Sequence, residues 1–315
     1  MFRKSIITSI SSFKLSKNEE SLIRDNKPWG IILFKRNIKD LKQLNELTSH
    51  IRRLMKDPLY PIMIDEEGGR VSRMSEIIDF SDFPQNYFGK LFEKNNLNGI
   101  NSYKEYLHFK CEILKKSGIN INTIPVLDII KSNTHKIIGD RSYSKNIKTI
   151  NVLKKICFKV LNQFKIGSVS KHIPGHGCSS VDTHKKLSIV NSSLNSLLKQ
   201  DFKVFKDINS KFAMTAHIIY KRIDPLNTAT HSKILIKNII RKKLGFKGIL
   251  ISDDISMKAL KGNFIYNAQR AIRSGCNLVL YCKGNFKESS ILLNKVNEID
   301  DFTKKKTSEF YKFLR

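Results

Sequence analysis

The sequence lacks any apolar run long enough to cross a bilayer. Lys, Asn or Asp interrupts every stretch before it reaches the roughly 18 apolar residues that a membrane-spanning helix needs. The N-terminal stretch is broken by Thr8, Ser9, Ser11 and Ser12 before the core of a signal peptide could form. We therefore predict a soluble cytoplasmic protein with no membrane partner.

Cysteine is scarce: the chain has five, at irregular spacing. They are Cys111, Cys157, Cys178, Cys276 and Cys282. An odd number without paired spacing fits neither a disulfide framework nor a zinc site built from paired thiols. The pattern favours free thiols in a reducing compartment, which agrees with a cytoplasmic protein.

Acidic residues are also scarce: the chain has 28 Asp and Glu but 57 Lys and Arg, which gives a formal net charge of +29. A clustered excess of this size would favour nucleic-acid binding, because grouped cations create the field that collects phosphates. Here the basic residues are spread over the whole chain, and only short groups at 241–243 and 304–306 stand out. We interpret the charge as a solvated surface and expect no nucleic-acid partner.

The chain shows neither a low-complexity linker nor a short internal repeat, and its main pattern is an alternation of apolar and amphipathic segments. Amphipathic stretches with helical spacing lie at 41–55, 103–116, 147–164 and 197–209. Apolar strands are predicted at 5–9, 29–34, 60–65, 120–127, 168–173, 212–218, 248–253 and 276–282. Eight such units predict a single-domain α/β fold, a (β/α)8 TIM barrel, with a doubly wound open sheet as the alternative.

Three predicted strands run into polar clusters, and barrel active sites are built at that end of the strands. The first cluster is IDEEGGRVSR, residues 64–73, in which three carboxylates precede a Gly-Gly turn and two arginines. Carboxylates accept hydrogen bonds from paired sugar hydroxyls, and arginine donates a rigid fork to oxygen acceptors. A loop whose acids and arginines merely neutralise one another is an equally open interpretation.

The second cluster is KHIPGHG, residues 171–177, followed by Asp182 and His184. The three histidines His172, His176 and His184 together suggest zinc. Their spacing is not that of a helical ligand pair, however, and Pro174 with two glycines indicates a loop. An Asp two residues before a His can orient the imidazole and stabilise its charged form. We favour a general acid/base pair over a metal site, with a purely structural loop as a third possibility.

The third cluster is ILISDDISM, residues 249–257, an apolar strand that ends in Asp253 and Asp254. Successive side chains of a strand point to opposite faces, so only one of the two carboxylates should enter a barrel mouth. The other could cap the helix expected after Ile255. Spacing alone does not assign the two roles.

Together these segments resemble glycoside hydrolase family 3, and within it the single-domain bacterial β-N-acetylhexosaminidases that recycle peptidoglycan in the cytoplasm. The resemblance spans nearly the whole chain and implies one catalytic barrel over residues 1–315, with an abbreviated helical segment at roughly 284–315. The segments that carry it are IDEEGGRVSR (64–73), PVLDI (125–129), IIGDRSYS (137–144), KHIPGHG with DTH (171–177, 182–184), MTAHIIY (214–220), LGFKGILISDDISM (244–257) and SGCNLVLYC (274–282).

The resemblance assigns catalytic roles by motif position. Asp253 is similar to the family's nucleophile, which forms a glycosyl-enzyme intermediate, and His184, oriented by Asp182, is similar to its acid/base. Both steps together retain the anomeric configuration. The sugar-binding residues implied by the resemblance are Asp65, Arg73, Arg141, Lys171 and His172.

The resemblance implies no metal and no organic cofactor, and we expect a monomer. The expected substrate is a carbohydrate, a non-reducing terminal N-acetylglucosamine on a muropeptide that contains anhydro-N-acetylmuramic acid. A β-glucosidase or a β-N-acetylglucosaminide phosphorylase of the same family is the alternative activity. A catalytically silent barrel that binds a sugar or a polyanion is the non-enzymatic alternative.

Overall fold

The computed structural model describes residues 2–130, 138–178 and 187–315, and within these ranges the main element is a closed barrel of eight parallel strands. The barrel order is β1-β10-β9-β7-β5-β4-β3-β2. In chain order the strands are β1 (Lys4–Ser9), β2 (Pro28–Leu33), β3 (Ile62–Ile64), β4 (Ile121–Asn122), β5 (Gly167–Ile173), β6 (Ser188–Val190), β7 (Phe212–Thr215), β8 (Ile218–Tyr220), β9 (Ile249–Asp254) and β10 (Leu278–Tyr281). The (β/α)8 prediction is confirmed, and the open-sheet alternative is wrong.

Closure of the barrel depends on β1, which pairs with β2 on one side and with β10 on the other. Ile7 is in register with both Gly30 and Leu280. Although this strand is short and partly polar, Ile6 and Ile7 are fully buried. A parallel strand covered on both faces needs such apolar side chains, and two of them suffice here.

One predicted strand divides into two. The segment 212–218 contributes β7 to the barrel, whereas β8 pairs with β6 in a separate two-stranded sheet. The strand predicted at 120–127 is also shorter than expected, since β4 has only two residues. An apolar run predicts that a segment is buried. It does not predict at which residue the hydrogen bonds between neighbouring strands end.

Helices surround the barrel: α1 (Lys17–Asn26), α2 (Leu41–Leu54), α3 (Gln85–Lys94), α4 (Asn96–Lys116), α5 (Ile147–Gln163), α6 (Leu194–Lys199), α7 (Phe264–Ser274), α8 (Phe286–Lys295) and α9 (Asp301–Leu314). A π-helical segment covers Leu235–Lys243. In the described ranges, we find no helix of the length and apolarity that a bilayer span requires.

The predicted helices at 41–55 and 147–164 agree with α2 and α5, and the stretch at 103–116 is the second part of α4. The helix predicted at 197–209 is wrong, because α6 ends at Lys199 and a 3-10 turn follows at Lys203–Phe205. Val204 and Phe205 lie in that turn and are buried there, although no continuous helix reaches them.

Apolar side chains form two layers. The inner layer draws on all eight barrel strands and includes Ile7, Ile32, Val169 and Ile251. The outer layer lies between the barrel and the helices and contains most of the remaining core. Such a filled interior is a packed core rather than a pore, so a ligand can enter only at an end of the barrel.

Helix α9 covers the N-terminal end of the strands. Phe310 packs edge-on against Phe212 of β7 at 5.0 Å between ring centroids. The indole nitrogen of Trp29, in β2, donates to the Thr307 hydroxyl at 2.9 Å. These contacts seal the barrel end opposite to the carboxyl ends of the strands.

We expect Phe310→Ala to lower the free energy of unfolding by about 3–5 kcal/mol, because it leaves a cavity in the buried seal. Phe310 is 1% exposed, whereas Phe302, on the same helix, is 41% exposed. The matched Phe302→Ala should change stability by less than about 1 kcal/mol. Urea unfolding of both variants measures the difference, and equal losses would show that α9 does not seal the barrel.

Candidate active site

A pocket opens where the carboxyl ends of the barrel strands meet. Asp65 directly follows β3, Cys282 directly follows β10, and both line this pocket. It is also lined by the predicted nucleophile and all five predicted sugar-binding residues: Asp65, Arg73, Arg141, Lys171, His172 and Asp253. Asp65 and Asp253, which are 188 residues apart in the chain, thus converge on one site.

Asp65 is held by two cations and a hydroxyl. Its carboxylate accepts from the Lys171 ammonium at 2.6 Å and from the Arg73 guanidinium at 2.9 Å, and it also accepts from the Thr123 hydroxyl. Burial alone would raise the pKa of Asp65, but Lys171 and Arg73 outweigh it and hold the pKa well below its usual range. Asp65 is therefore a fixed, ionised acceptor at the pocket floor.

Glu67, to which the sequence alone assigned no role, joins two of the predicted sugar-binding residues. Arg141 donates to both of its carboxylate oxygens at 2.8 Å, in the bidentate geometry of a strong ion pair. The Lys171 ammonium lies 2.5 Å from the same carboxylate. Burial acts to raise the pKa of Glu67, and the two cations lower it below its usual value. Glu67 thus orients Arg141 and Lys171 from below the pocket.

Glu66 anchors the loop that carries Arg73. Its carboxylate accepts from the backbone nitrogens of Arg73 at 2.6 Å and of Met74 at 3.1 Å. The ammonium of the fully buried Lys110 lies 3.8 Å from it and 4.6 Å from the centre of the Tyr106 ring. The three carboxylates of IDEEGGRVSR therefore have three different roles. Of the three side chains, only Asp65 lines the pocket.

Asp128, in the PVLDI segment, is a second residue whose role the sequence did not reveal. It is fully buried, and its carboxylate lies 2.6 Å from Nδ1 of His172. The same carboxylate accepts from the backbone nitrogens of His172 and His176. Burial acts to raise the pKa of Asp128, and His172 with the hydrogen bonds lowers it below its usual value. An ionised Asp128 thus holds the loop after β5.

The two adjacent carboxylates at the end of β9 have different surroundings. Asp254 accepts from the backbone nitrogen and hydroxyl of Ser256, which makes a local turn, and burial raises its pKa. Asp253 accepts from the backbone nitrogen of Asp254 at 2.7 Å. The helix expected after Ile255 is wrong: turns follow, and α7 is capped by Asn263 instead.

His217, in the MTAHIIY segment, supports the strand end that carries both carboxylates. Its Nε2 donates to the backbone oxygen of Asp254 at 3.0 Å, and its Nδ1 accepts from the Thr230 hydroxyl at 2.7 Å. Burial lowers its pKa, so the ring is neutral near pH 7. This arrangement fixes the backbone beside Asp253.

The predicted acid/base pair, Asp182 and His184, lies outside the described residues. In the described part of the chain, no three His, Cys, Asp or Glu side chains converge as a metal site. Because Asp182 and His184 lie outside that part, the absence of a metal stays a prediction.

Buried neutral histidines should make stability fall as the solution is acidified. Burial lowers the pKa of His231 to about 4, from its ordinary 6.5. Between these values the unfolded chain binds a proton that the folded chain does not, so stability is lost as pH falls through this window. From pH 7 to pH 5, we expect His231 to account for about 1–2 kcal/mol of the loss.

Urea unfolding at the two pH values tests this expectation. The His231→Gln variant should lose less stability on acidification than the parent. His108 is exposed, and His108→Gln serves as the control for the replacement of a histidine by glutamine. An unchanged dependence in His231→Gln would contradict the assignment.

Comparisons with known proteins agree on the family. The family model "Glycosyl hydrolase family 3 N terminal domain" matches residues 5–308. A beta-hexosaminidase of Nitrosomonas eutropha is 31% identical over 288 residues, which cover 90% of this chain and 81% of the relative. A beta-hexosaminidase of Neisseria meningitidis is 32% identical over 287 residues, 89% of this chain and 78% of the relative.

A solved structure shows the same likeness. NagZ from Neisseria gonorrhoeae, in complex with N-trifluoroacetyl-D-glucosamine, superposes with a TM-score of 0.87 at 27% identity. The superposition covers 100% of this chain and 91% of that one. These findings confirm the family that the motifs predicted: the chain is a glycosidase that belongs to glycosyl hydrolase family 3.

Proposed function

We propose that this protein is a retaining exo-β-N-acetylglucosaminidase. The observation that carries the proposal is the joint presence of Asp253 and the Asp65–Lys171–Glu67–Arg141 network at one pocket. A half-buried carboxylate thus lies beside a rigid set of donors and acceptors suited to a sugar's hydroxyl and carbonyl groups. The relatives from Nitrosomonas eutropha and Neisseria meningitidis are beta-hexosaminidases, and the structurally similar NagZ was solved with N-trifluoroacetyl-D-glucosamine.

In the proposed mechanism, a carboxylate oxygen of Asp253 attacks the anomeric carbon and forms a glycosyl ester. The bond from that carbon to the leaving oxygen breaks, and His184, oriented by Asp182, supplies the proton that the leaving oxygen takes up. His184 then removes a proton from water, which attacks the same carbon and releases Asp253. Two inversions give net retention.

A pocket at the end of a barrel admits a terminal sugar, so the enzyme removes single residues from the non-reducing end. We propose that the natural substrate is a muropeptide with N-acetylglucosamine linked to anhydro-N-acetylmuramic acid. The enzyme acts in the cytoplasm as a monomer, with one catalytic domain over residues 1–315, no cofactor, and neither a membrane nor a nucleic-acid partner.

An assay on chromogenic sugars tests the activity. We expect 4-nitrophenyl β-N-acetylglucosaminide to be cleaved at least about 100-fold more efficiently than 4-nitrophenyl β-glucoside, because a site built for the amide leaves polar groups unpaired without it. The rate should not depend on phosphate. Formation of sugar 1-phosphate would identify a phosphorylase, and equal cleavage of both sugars would identify a β-glucosidase. No cleavage of either would favour a binding protein.

A further inference from the structure

The buried contact between Asp128 and His172 determines which nitrogen of this histidine carries a hydrogen. Nδ1 of His172 lies 2.6 Å from Oδ2 of Asp128. The other oxygen, Oδ1, accepts from the backbone nitrogen of His176 at 2.7 Å and from that of His172 at 3.2 Å. Because an ionised carboxylate only accepts hydrogen bonds, Nδ1 must be the donor.

The other ring nitrogen, Nε2, meets a cation. It lies 3.5 Å from a terminal nitrogen of Arg141, a group that only donates, and this distance is too long for a strong hydrogen bond that would occupy the lone pair of Nε2. A hydrogen on Nε2 would place donor against donor, so this contact favours an Nε2 without a hydrogen. The two neighbouring histidines add no positive charge near His172. The ring of His176 lies 5.6 Å away between centroids, and burial lowers the pKa of both His176 and His217, which follows β7, so that both rings are neutral.

We propose that Asp128 is a positioning residue that fixes His172 as the neutral tautomer with its hydrogen on Nδ1, so that Nε2 offers an uncharged acceptor to a sugar hydroxyl. The assignment of a sugar as the ligand rests on the proposed function, whereas the tautomer does not. The acceptor is useful because Arg73, Arg141 and Lys171 can only donate, and the carboxylate of Asp65 already accepts from three groups.

The variant Asp128→Asn tests the positioning role with little change of shape. Its amide nitrogen can donate to Nδ1, which moves the ring hydrogen to Nε2 and replaces the acceptor with a donor. For hydrolysis of 4-nitrophenyl β-N-acetylglucosaminide, we expect kcat/KM to fall by about 10- to 100-fold, the effect of a lost hydrogen bond with a buried polar group left unpaired.

A double-mutant cycle separates positioning from a general structural effect. His172→Asn should lose a similar factor, and the double variant Asp128→Asn/His172→Asn should lose no more than either single variant, because both changes remove one interaction. Losses that multiply would show that Asp128 acts on the site independently of His172 and would overturn the proposal. Thermal unfolding of each variant identifies changes that come from loss of folded protein.

Nitrogen-15 NMR of histidine-labelled protein tests the tautomer without substrate. The His172 signals are identified by their absence from His172→Asn or His172→Gln. We expect a protonated Nδ1 and an unprotonated Nε2 in the parent, and the reverse in Asp128→Asn. A parent ring with hydrogen on Nε2 overturns the proposal even if the sugar is cleaved. The expected tautomer in a protein that cleaves neither sugar would refute the proposed function alone.

Discussion

Asp253→Asn is expected to lower kcat for hydrolysis of 4-nitrophenyl β-N-acetylglucosaminide by about 10⁴-fold or more, the range seen when a catalytic nucleophile is removed. The amide is a poor nucleophile and cannot form the glycosyl ester. The substitution keeps the size of the side chain, and its oxygen can still accept from the backbone nitrogen of Asp254. The fold should therefore be retained, which thermal unfolding will verify.

The neighbouring carboxylate provides a matched control. Asp254 is bound to Ser256 in a turn, and asparagine suits the same turn because its side-chain oxygen accepts in the same way. We expect Asp254→Asn to reduce activity by less than about tenfold. If the two variants lose equal activity, or if Asp254→Asn is the more damaged, the nucleophile is assigned to the wrong carboxylate.

Glu67→Gln is expected to lower both stability and activity. The substitution leaves Arg141 and Lys171 buried without their shared countercharge, and breaking such a buried pair typically costs about 3–5 kcal/mol of the free energy of unfolding. Because Arg141 and Lys171 would also lose their fixed positions in the pocket, kcat/KM should fall by about 100-fold or more. Urea unfolding and steady-state kinetics measure the two effects.

The exposed ion pair between Glu76 and Lys35, 3.0 Å apart, serves as the control for Glu67. Both side chains are about half exposed, at 48% and 59%, and surface pairs contribute little because water screens them. Glu76→Gln should leave stability within about 1 kcal/mol of the parent and activity unchanged. Wild-type kinetics in Glu67→Gln would contradict the orienting role of Glu67.

The sequence predicted the barrel well because its strands are buried on both faces. Runs such as WGIIL in β2 are apolar throughout, and all of its residues are buried. Prediction was weaker where local pattern does not fix the hydrogen-bonding partner. Nothing in MTAHIIY indicates that β7 joins the barrel while β8 pairs with β6.

Polar residues at the ends of the predicted strands indicated that Asp65, Lys171 and Asp253 would lie near one another, and all three line one pocket. The sequence could not assign Glu67 or Asp128, because their partners are 74 and 44 residues away in the chain. Both carboxylates stood in noted motifs, IDEEGGRVSR and PVLDI. The motifs do not indicate that Glu67 would bind Arg141 or that Asp128 would bind the ring of His172.

Trapping the covalent intermediate tests directly whether Asp253 is the nucleophile. A 5-fluoro N-acetylglucosaminyl fluoride, which slows breakdown of the glycosyl-enzyme, is incubated with the protein before tryptic digestion and mass spectrometry. Cleavage after Lys247 and Lys258 yields the peptide GILISDDISMK, which contains Asp253 and Asp254 as its only carboxylate side chains. We predict a glycosyl adduct on this peptide, located at Asp253 by fragmentation. An adduct on Asp254 or on another peptide would contradict the account.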